Sequence, residues 1–514
     1  MREFGDFQTP LELVRLVLRA VYRRGGPWVR ALEPTCGSGN FLLGLKELSA
    51  APIEIQGIEL QRSHAIGTQA RSGEQVRVHH ADIFRLNLAE LPWENSGPLL
   101  VVGNPPWVTN SELGSLDSAN LPSKSNFKGL SGFDAKTGGS NFDIAEYIWI
   151  KLIKELSWAR PTIALLCKTS VARNVLSYAE CAGLPCSSPE IYLIDARKWF
   201  RAAVDACLFR LDVGLGQTSY RATVFSDLES DIPQSVLGLA NGSLVSDYET
   251  YERLSFLEGN SPVEWRQGIK HDAGSVMELR EENGALKNRL GEIVTVEPEY
   301  LYPLLKSSDL NSGDNPTPRY RVIVTQKQLG EDTSRLRESA PHLWDYLCKH
   351  EEVFSARKSS IYKGRPRFSM FGVGEYSFAD YKVAISGLYK TISFRVVGPR
   401  GGTPVMLDDT CYFVGCESAE QASVLAAILG DERCLSFVNA LIFLDSKRPL
   451  TKKILQRLNL RAILERFDRG MIVSAANERL KVLGKSATAA NLIDSFRWPG
   501  TESLQGAMFP ELMA

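Results

Sequence analysis

The sequence predicts an α/β fold: a doubly wound sheet of seven strands closing in a β-hairpin, followed by a second, mixed α+β domain. Three observations predict it. Between residues 10 and 213, short apolar runs alternate with longer stretches whose apolar residues recur at helical spacing, the pattern of strands and crossover helices. Turn formers sit just past the runs, Gly37 and Gly39 after the first and Pro105 and Pro106 after the fourth. From GLGQTS (214–219) onward the alternation stops, although more than half of the chain remains.

In order, the expected strands are 29–32, 53–58, 76–79, 99–102, 162–167, 191–194 and 206–211, and the expected helices 11–22, 41–48, 142–158 and 171–181. Too little chain separates the last two strands for a crossover helix, so they form a hairpin and the sheet is mixed. This Rossmann-like domain takes residues 1–215. Residues 216–290, polar and charged in their second half, read as a connecting segment. Residues 291–470 mix strand-like runs, such as 320–325 and 381–385, with Gly and Pro turns and read as the α+β domain; 471–514 read as a helical tail. No internal repeat is present.

With 514 residues, 44% of them hydrophobic, the chain can bury a core in two or three domains. Its first residues mix charges of both signs, and no apolar run is long enough to span a bilayer, so a soluble cytoplasmic protein without membrane contact is expected. Nine cysteines occur without a CxxC pair, and the Cys181/Cys186 and Cys411/Cys416 spacings lack a His or Cys cluster to complete a zinc site. Buried free thiols and no metal follow. A net charge of −1 excludes a uniformly basic coat but not a basic patch.

The first candidate site is ALEPTCGSGNFL (31–42), a strand end, a glycine turn and a helix start. Gly37 and Gly39 permit a tight turn and let backbone approach a ligand that a Cβ would exclude. Glu59, at the end of the second strand, has the placement of an acid that accepts hydrogen bonds from ribose hydroxyls. Asp82, in HHADIF (79–84) past the third strand, is placed to accept from an adenine amine. The loop lacks the GxxxxGK[ST] phosphate cradle, which disfavours a nucleoside triphosphate.

The second is LLVVGNPPW (99–107), which sets Asn104, Pro105, Pro106 and Trp107 beyond the fourth strand, at the switch point where such sheets bind ligands. Two prolines stiffen the loop and remove two N–H donors, leaving carbonyls that only accept. That suits a planar amine substrate. If the Asn104 side-chain carbonyl and the Pro105 backbone carbonyl each accept one N–H, the nitrogen is drawn toward tetrahedral geometry and its lone pair is aimed. Trp107 would stack on the ring that carries the amine.

Here the chain resembles a known family, the gamma class (Taq type) of N6-adenine DNA methyltransferases, with the motifs in the family's order over residues 4–213. FQTP (7–10) is similar to the first motif, in which the Thr, here Thr9, touches the cofactor; EPTCGSG (33–39), with Glu33 and Thr35, then Glu59, Asp82 and NPPW (104–107) follow. The resemblance implies a methyltransferase sheet, S-adenosyl-L-methionine as cofactor with S-adenosyl-L-homocysteine as product, no metal, and methylation of an adenine flipped out of double-stranded DNA. Two features depart from the Taq-type pattern. Trp107 stands where Tyr is commoner, and NFDIAE (141–146) loosely matches the motif that supplies an aromatic near the cofactor, here Phe142. A second aromatic on the target base is expected from KWFRAAV (198–204): Phe200, with Trp199 as the alternative.

Two later segments, EPEYLYPLLKSSDL (297–310) and YKVAISGLYK (381–390), look like parts of the Taq-type DNA-recognition domain. Between 357 and 400 the cations face only Glu375 and Asp380 among acids, and Arg357, Lys358, Lys363, Arg365, Arg367, Lys382 and Lys390 are the expected phosphate contacts. Lys447, Arg448, Lys452 and Lys453 extend that footprint. The alternatives are an RNA adenine N6, a DNA cytosine N4 or a protein glutamine N5 methyltransferase; the cytosine enzymes more often carry Ser-Pro-Pro, and the glutamine enzymes are usually shorter. No paired-acid and lysine nuclease pattern follows Val213 and none precedes the first motif, so modification without cleavage is expected. The family implies a restriction-modification or phage-defence setting, with a separate cognate restriction endonuclease or other defence proteins as partners.

Overall fold

A computed structural model describes residues 8–49, 52–108, 143–486 and 492–500. The chain divides into two compact units, Met1–Glu249 and Thr250–Ala514.

The first unit is built on a ten-stranded sheet. Its centre is parallel: β4 (Leu99–Gly103) pairs with β1 (Arg30–Glu33), β1 with β2 (Glu54–Glu59), β2 with β3 (Val76–His80), and β4 on its other side with β5 (Thr162–Lys168). β1 and β4 are buried along their whole length; β4 accordingly reads as an unbroken apolar run, whereas β1 carries the buried charges Arg30 and Glu33 at its two ends. β6 (Cys186–Ile194) and β7 (Ala206–Val213) form the antiparallel hairpin, with β7 set between β5 and β6.

Three strands lie beyond the expected seven. β8 (Ala222–Phe225) runs parallel to β6, β9 (Pro233–Ala240) antiparallel to β8, and β10 (Ser243–Val245) closes the edge. Without them β6 would be an open edge. The β9–β10 turn is Asn241-Gly242 with φ 49° and 70°, the positive-φ pair of a tight hairpin, and this dipeptide was the available sequence signal. The stretch 216–290 is therefore no linker: its first part completes this sheet and its last part supplies strands to the second unit.

α1 (Leu11–Arg24) starts after Pro10 and buries Leu13, Val14, Val17, Leu18 and Val21, one stripe at helical spacing. α2 (Asn40–Leu48) follows the glycine turn. α3 (Arg62–Ser72) buries only Ala65, Thr68 and Ser72, too few apolar residues to show a periodicity. α4 (Ile144–Glu155) and α5 (Thr169–Cys181) flank β5, and α6 (Ala196–Phe200) is a short helix inside the β6–β7 connection.

The second unit is mixed α+β. One sheet has the order β11 (Arg266–Gln267), β19 (Cys411–Cys416), β16 (Tyr381–Ser386), β17 (Arg395–Val397). The other has the order β13 (Ala285–Lys287), β12 (Glu278–Glu282), β15 (Tyr320–Ile323), β14 (Leu301–Leu305), β18 (Met406–Leu407). The helix Arg469–Val482 buries Ile472, Ala476 and Leu480 and belongs to this unit rather than to a separate tail. All nine cysteines are free thiols. Among the described residues no helix is long and apolar enough to cross a membrane, and no three His, Cys, Asp or Glu side chains are grouped to hold a metal.

Candidate active site

The carboxyl ends of β1, β2, β3 and β4 open into one cleft of about 1000 Å³ including its mouth. Of the residues singled out in the sequence, Thr9, Glu33, Thr35, Gly37, Glu59, Asp82, Asn104 and Pro106 line it. Gln8, His64, Phe84, Val108, Ile144 and Ile148 line it too and were not anticipated. Gln8 sat inside a quoted motif and was passed over; His64 and the isoleucines carry no local signal, because only the packing of α3 and α4 brings them here.

The glycine turn is held from several sides. Cys36 N–H donates to Ile58 O at 2.8 Å, and Gly37 N–H donates to Glu59 Oε2 at 2.8 Å. Ser38 N–H donates to Gln8 Oε1 at 3.1 Å. Gly37 and Gly39 have φ of 47° and 79°, and a Cβ on Gly39 would come within 2.4 Å of Thr68 Cγ2. Gly39 does not line the cleft; it shapes the turn behind it. Glu59 accepts a second backbone bond from Gln61 N–H at 2.7 Å, and its remaining lone pairs are available to hydroxyl donors.

Glu33 is 3% exposed, and its Oε2 has no hydrogen-bond partner among the described residues. Burial pushes its carboxyl well above the usual carboxylate range, and the charge of Glu59 adds to the shift. Thr35 Oγ1 is likewise buried without a partner. Orphaned polar atoms on a cleft wall are open to a bound ligand or to water. A buried acid suits a cationic ammonium, Glu59 suits a diol, and Asp82, whose Oδ1 accepts from Phe84 N–H at 2.9 Å, lies on the same wall; these residues fit the three parts of an amino-acid-bearing adenosine.

Asn104 follows β4 directly. Its Nδ2 donates to Thr9 Oγ1 at 3.1 Å, which turns the carboxamide so that its carbonyl lies on the opposite edge. Val108 O accepts from Ile144 N–H at 3.0 Å, tying the loop's exit to α4. Asp143 caps α4 through Ala145 N–H at 3.1 Å and pairs with Lys168 at 2.8 Å. Burial pushes the Asp143 carboxyl up against the opposing pull of Lys168. Phe142 lies outside the described residues.

Pro105, Trp107 and Phe200 are not on the cleft wall. Trp107 is 5% exposed, donates Nε1–H to Leu166 O at 3.3 Å, and meets Phe200 edge to face with ring centroids 5.0 Å apart. Each ring covers part of the other, so a base stacked on either requires the pair to part.

The second unit divides the expected phosphate contacts. Lys382 is corrected: it lies on β16 between β17 and β19, is 1% exposed, and donates to Ala379 O, so it cannot reach a phosphate. Arg357 spends its guanidinium on Phe354 O, His271 O and Ser369 O, and Arg367 is paired with Glu351 at 2.8 Å. Lys358, Lys363, Arg365 and Lys390 are exposed.

The fold and the cleft define an α/β protein with a ligand-sized cleft at the carboxyl ends of its parallel strands. No protein-family model matches the chain. A Type II methyltransferase, M.NspV of Nostoc sp., is 41% identical over 467 residues, 90% of this chain and 97% of that protein. The chain therefore belongs to the family of Type II methyltransferases. In structure it is similar to the Type IIL restriction-modification enzyme MmeI, with a TM-score of 0.53 and 13% identity over 97% of this chain and 74% of that one, a likeness of fold.

Proposed function

We propose that the protein transfers a methyl group from S-adenosylmethionine to the N6 amine of an adenine extruded from double-stranded DNA at a specific sequence. The observation that carries the reading is the Asn104 carboxamide, fixed by Thr9 at the end of β4 and beside a cleft whose wall suits an adenosine. DNA as the substrate is supported by the relative's name, a Type II methyltransferase, and by the likeness in fold to a restriction-modification enzyme described in complex with DNA.

S-adenosylmethionine supplies an electrophilic methyl on its sulfonium. Glu33 takes the ammonium, Glu59 the ribose hydroxyls and Asp82 the adenine amine. The Asn104 side-chain carbonyl and the Pro105 backbone carbonyl accept the two N–H groups of the target amine and aim its lone pair. An amide accepts these bonds without removing a proton, so the surplus proton of the methylated nitrogen would pass to solvent. Trp107 and Phe200 part to receive the base. Interactions of this kind that strengthen toward the transition state are worth roughly 3–4 kcal/mol each. Modification takes place in the cytoplasm, with cleavage left to a separate endonuclease.

The test is incubation with labelled S-adenosylmethionine and DNA, RNA or release-factor protein, followed by identification of the methylated product. N6-methyladenine in DNA is expected. Label in DNA cytosine overturns the base assignment, and label confined to RNA or protein overturns the substrate. Asn104→Ala should lower turnover by about 100- to 1000-fold while leaving cofactor affinity nearly unchanged.

A further inference from the structure

The β6–β7 connection, residues 195–205, lies at the cleft end of the sheet. β7 runs antiparallel to both β5 and β6, so β6 ends on the same side as β5, and Thr169 N–H donates to Asp205 O at 3.1 Å, fastening the connection to the end of β5. α6 buries Ala196 and Phe200, four residues apart on one face. That leaves Arg197 and Lys198 pointing outward and Arg201 following at the helix end, all three exposed.

Their electrostatic situation differs from that of their neighbours. Lys168 is paired with Asp143, and Arg210 with Glu190 and Asp212. Arg197, Lys198 and Arg201 take part in no ion pair among the described residues; Asp195 instead spends its Oδ1 on the backbone N–H groups of Arg197 and Lys198. Asp205, at the far end of the connection, is the other acid in it. Arg201 also adopts φ 53°, a left-handed helix-end position that glycine fills without steric conflict and that an arginine occupies here. Three cations without an acidic partner among the described residues thus stand on the exposed side of the short helix whose buried face carries Phe200.

We propose that Arg197, Lys198 and Arg201 bind the DNA phosphates flanking the nucleotide whose base the site takes in, an inference that rests on the function proposed above. A nucleotide's phosphates lie one sugar away from its base, so a base held at Trp107 and Phe200 brings its own backbone to the rim these cations occupy. The contact carries no sequence information. It anchors the extruded strand from within the catalytic unit.

The test is salt-dependent binding of the full-length protein to a duplex with one recognition site, using Arg197→Ala/Lys198→Ala/Arg201→Gly. Each lost phosphate contact lowers the slope of log Kd against log salt by about 0.9, so a fall of about 2 is expected for the cognate duplex, whose base is extruded, and a smaller one for a non-cognate duplex. Replacing the two phosphates that flank the target nucleotide with neutral methylphosphonates should weaken the wild type to the level of the variant and leave the variant unchanged. Cofactor affinity and melting temperature should stay at wild-type values; if the triple variant does not fold, Arg197→Gln/Lys198→Gln repeats the comparison with a fall of about 1–2. A variant that keeps the wild-type slope, or that responds to the methylphosphonates as the wild type does, overturns the inference while DNA methylation by the wild type stands. A wild type that methylates only RNA or protein overturns the proposed function itself, a separate outcome.

Discussion

Gly39→Ala is the sharpest probe of the glycine turn. The residue sits at φ 79° and ψ 22° ahead of α2, and a left-handed conformation costs a residue with a Cβ roughly 1–2 kcal/mol. The new Cβ would stand 2.4 Å from Thr68 Cγ2, so Thr68 must move. Thr68 is 1% exposed and donates Oγ1–H to Gly37 O at 2.8 Å; losing that bond removes about 1 kcal/mol. Together these terms come to about 2–3 kcal/mol, shared between the fold and the cleft. Because Gly37 N–H is held by Glu59 and Ser38 N–H by Gln8, a shifted turn moves the cleft wall. Roughly half of the total should therefore appear as lost ligand affinity, about tenfold. Calorimetric titration with S-adenosylhomocysteine and thermal unfolding measure the two shares. Thr68→Ser deletes Cγ2 but keeps the hydroxyl, so Gly39→Ala/Thr68→Ser should recover the overlap and retain the φ cost. Unchanged affinity and melting temperature in the single variant, or a double variant no better than the single one, would refute the reasoning.

Three other outcomes are expected. Thr9→Val removes the acceptor that orients the Asn104 amide, so kcat should fall about fivefold to tenfold with little change in cofactor affinity, and Thr9→Ser should restore it; a loss of affinity alone would make Thr9 only a cofactor contact. Burial raises the folded pKa of the Glu33 carboxyl and an ammonium ligand would draw it back down, so ligand binding is linked to proton release at pH values between the two. Titrations in buffers of different ionisation enthalpy should show proton release that Glu33→Gln abolishes; the same raised pKa means stability is lost as pH climbs from 4.5 through the folded value, so Glu33→Gln should stabilise the free protein at neutral pH. Burial pulls Lys382 from 10.5 down to about 7. The unfolded chain is then favoured increasingly as pH falls from 10.5 to about 7, at a cost on the order of 4 kcal/mol. Lys382→Met should therefore stabilise the protein most at and below neutral pH, measured by denaturant unfolding, and leave the salt dependence of DNA binding untouched; a lower salt slope would return Lys382 to the DNA interface.

Much of the cleft wall was legible because it is local. A strand, a glycine turn and a helix occupy consecutive residues, so Gly37, Glu59 and Asp82 reveal their places by spacing alone. NPPW was legible for the same reason, its prolines fixing a stiff loop whatever surrounds it. What no local pattern carries is which side chain faces which. The cations between 357 and 400 looked equivalent in sequence, yet Lys382 is enclosed by β17 and β19, Arg357 is consumed by three carbonyls, and Lys363 stays in water.

By itself, then, the sequence determined the parallel core, the hairpin β6–β7, the turn at Gly37 and the proline-stiffened loop at Asn104, each set by short-range sterics and hydrophobic periodicity. Only the tertiary structure decided that three further strands cover the β6 edge, that Trp107 and Phe200 meet each other, that Thr9 orients Asn104 across 95 residues of chain, and that Glu33 Oε2 has no hydrogen-bond partner among the described residues. Those outcomes depend on contacts between residues distant in sequence, where burial and charge are fixed by the packing of several elements at once.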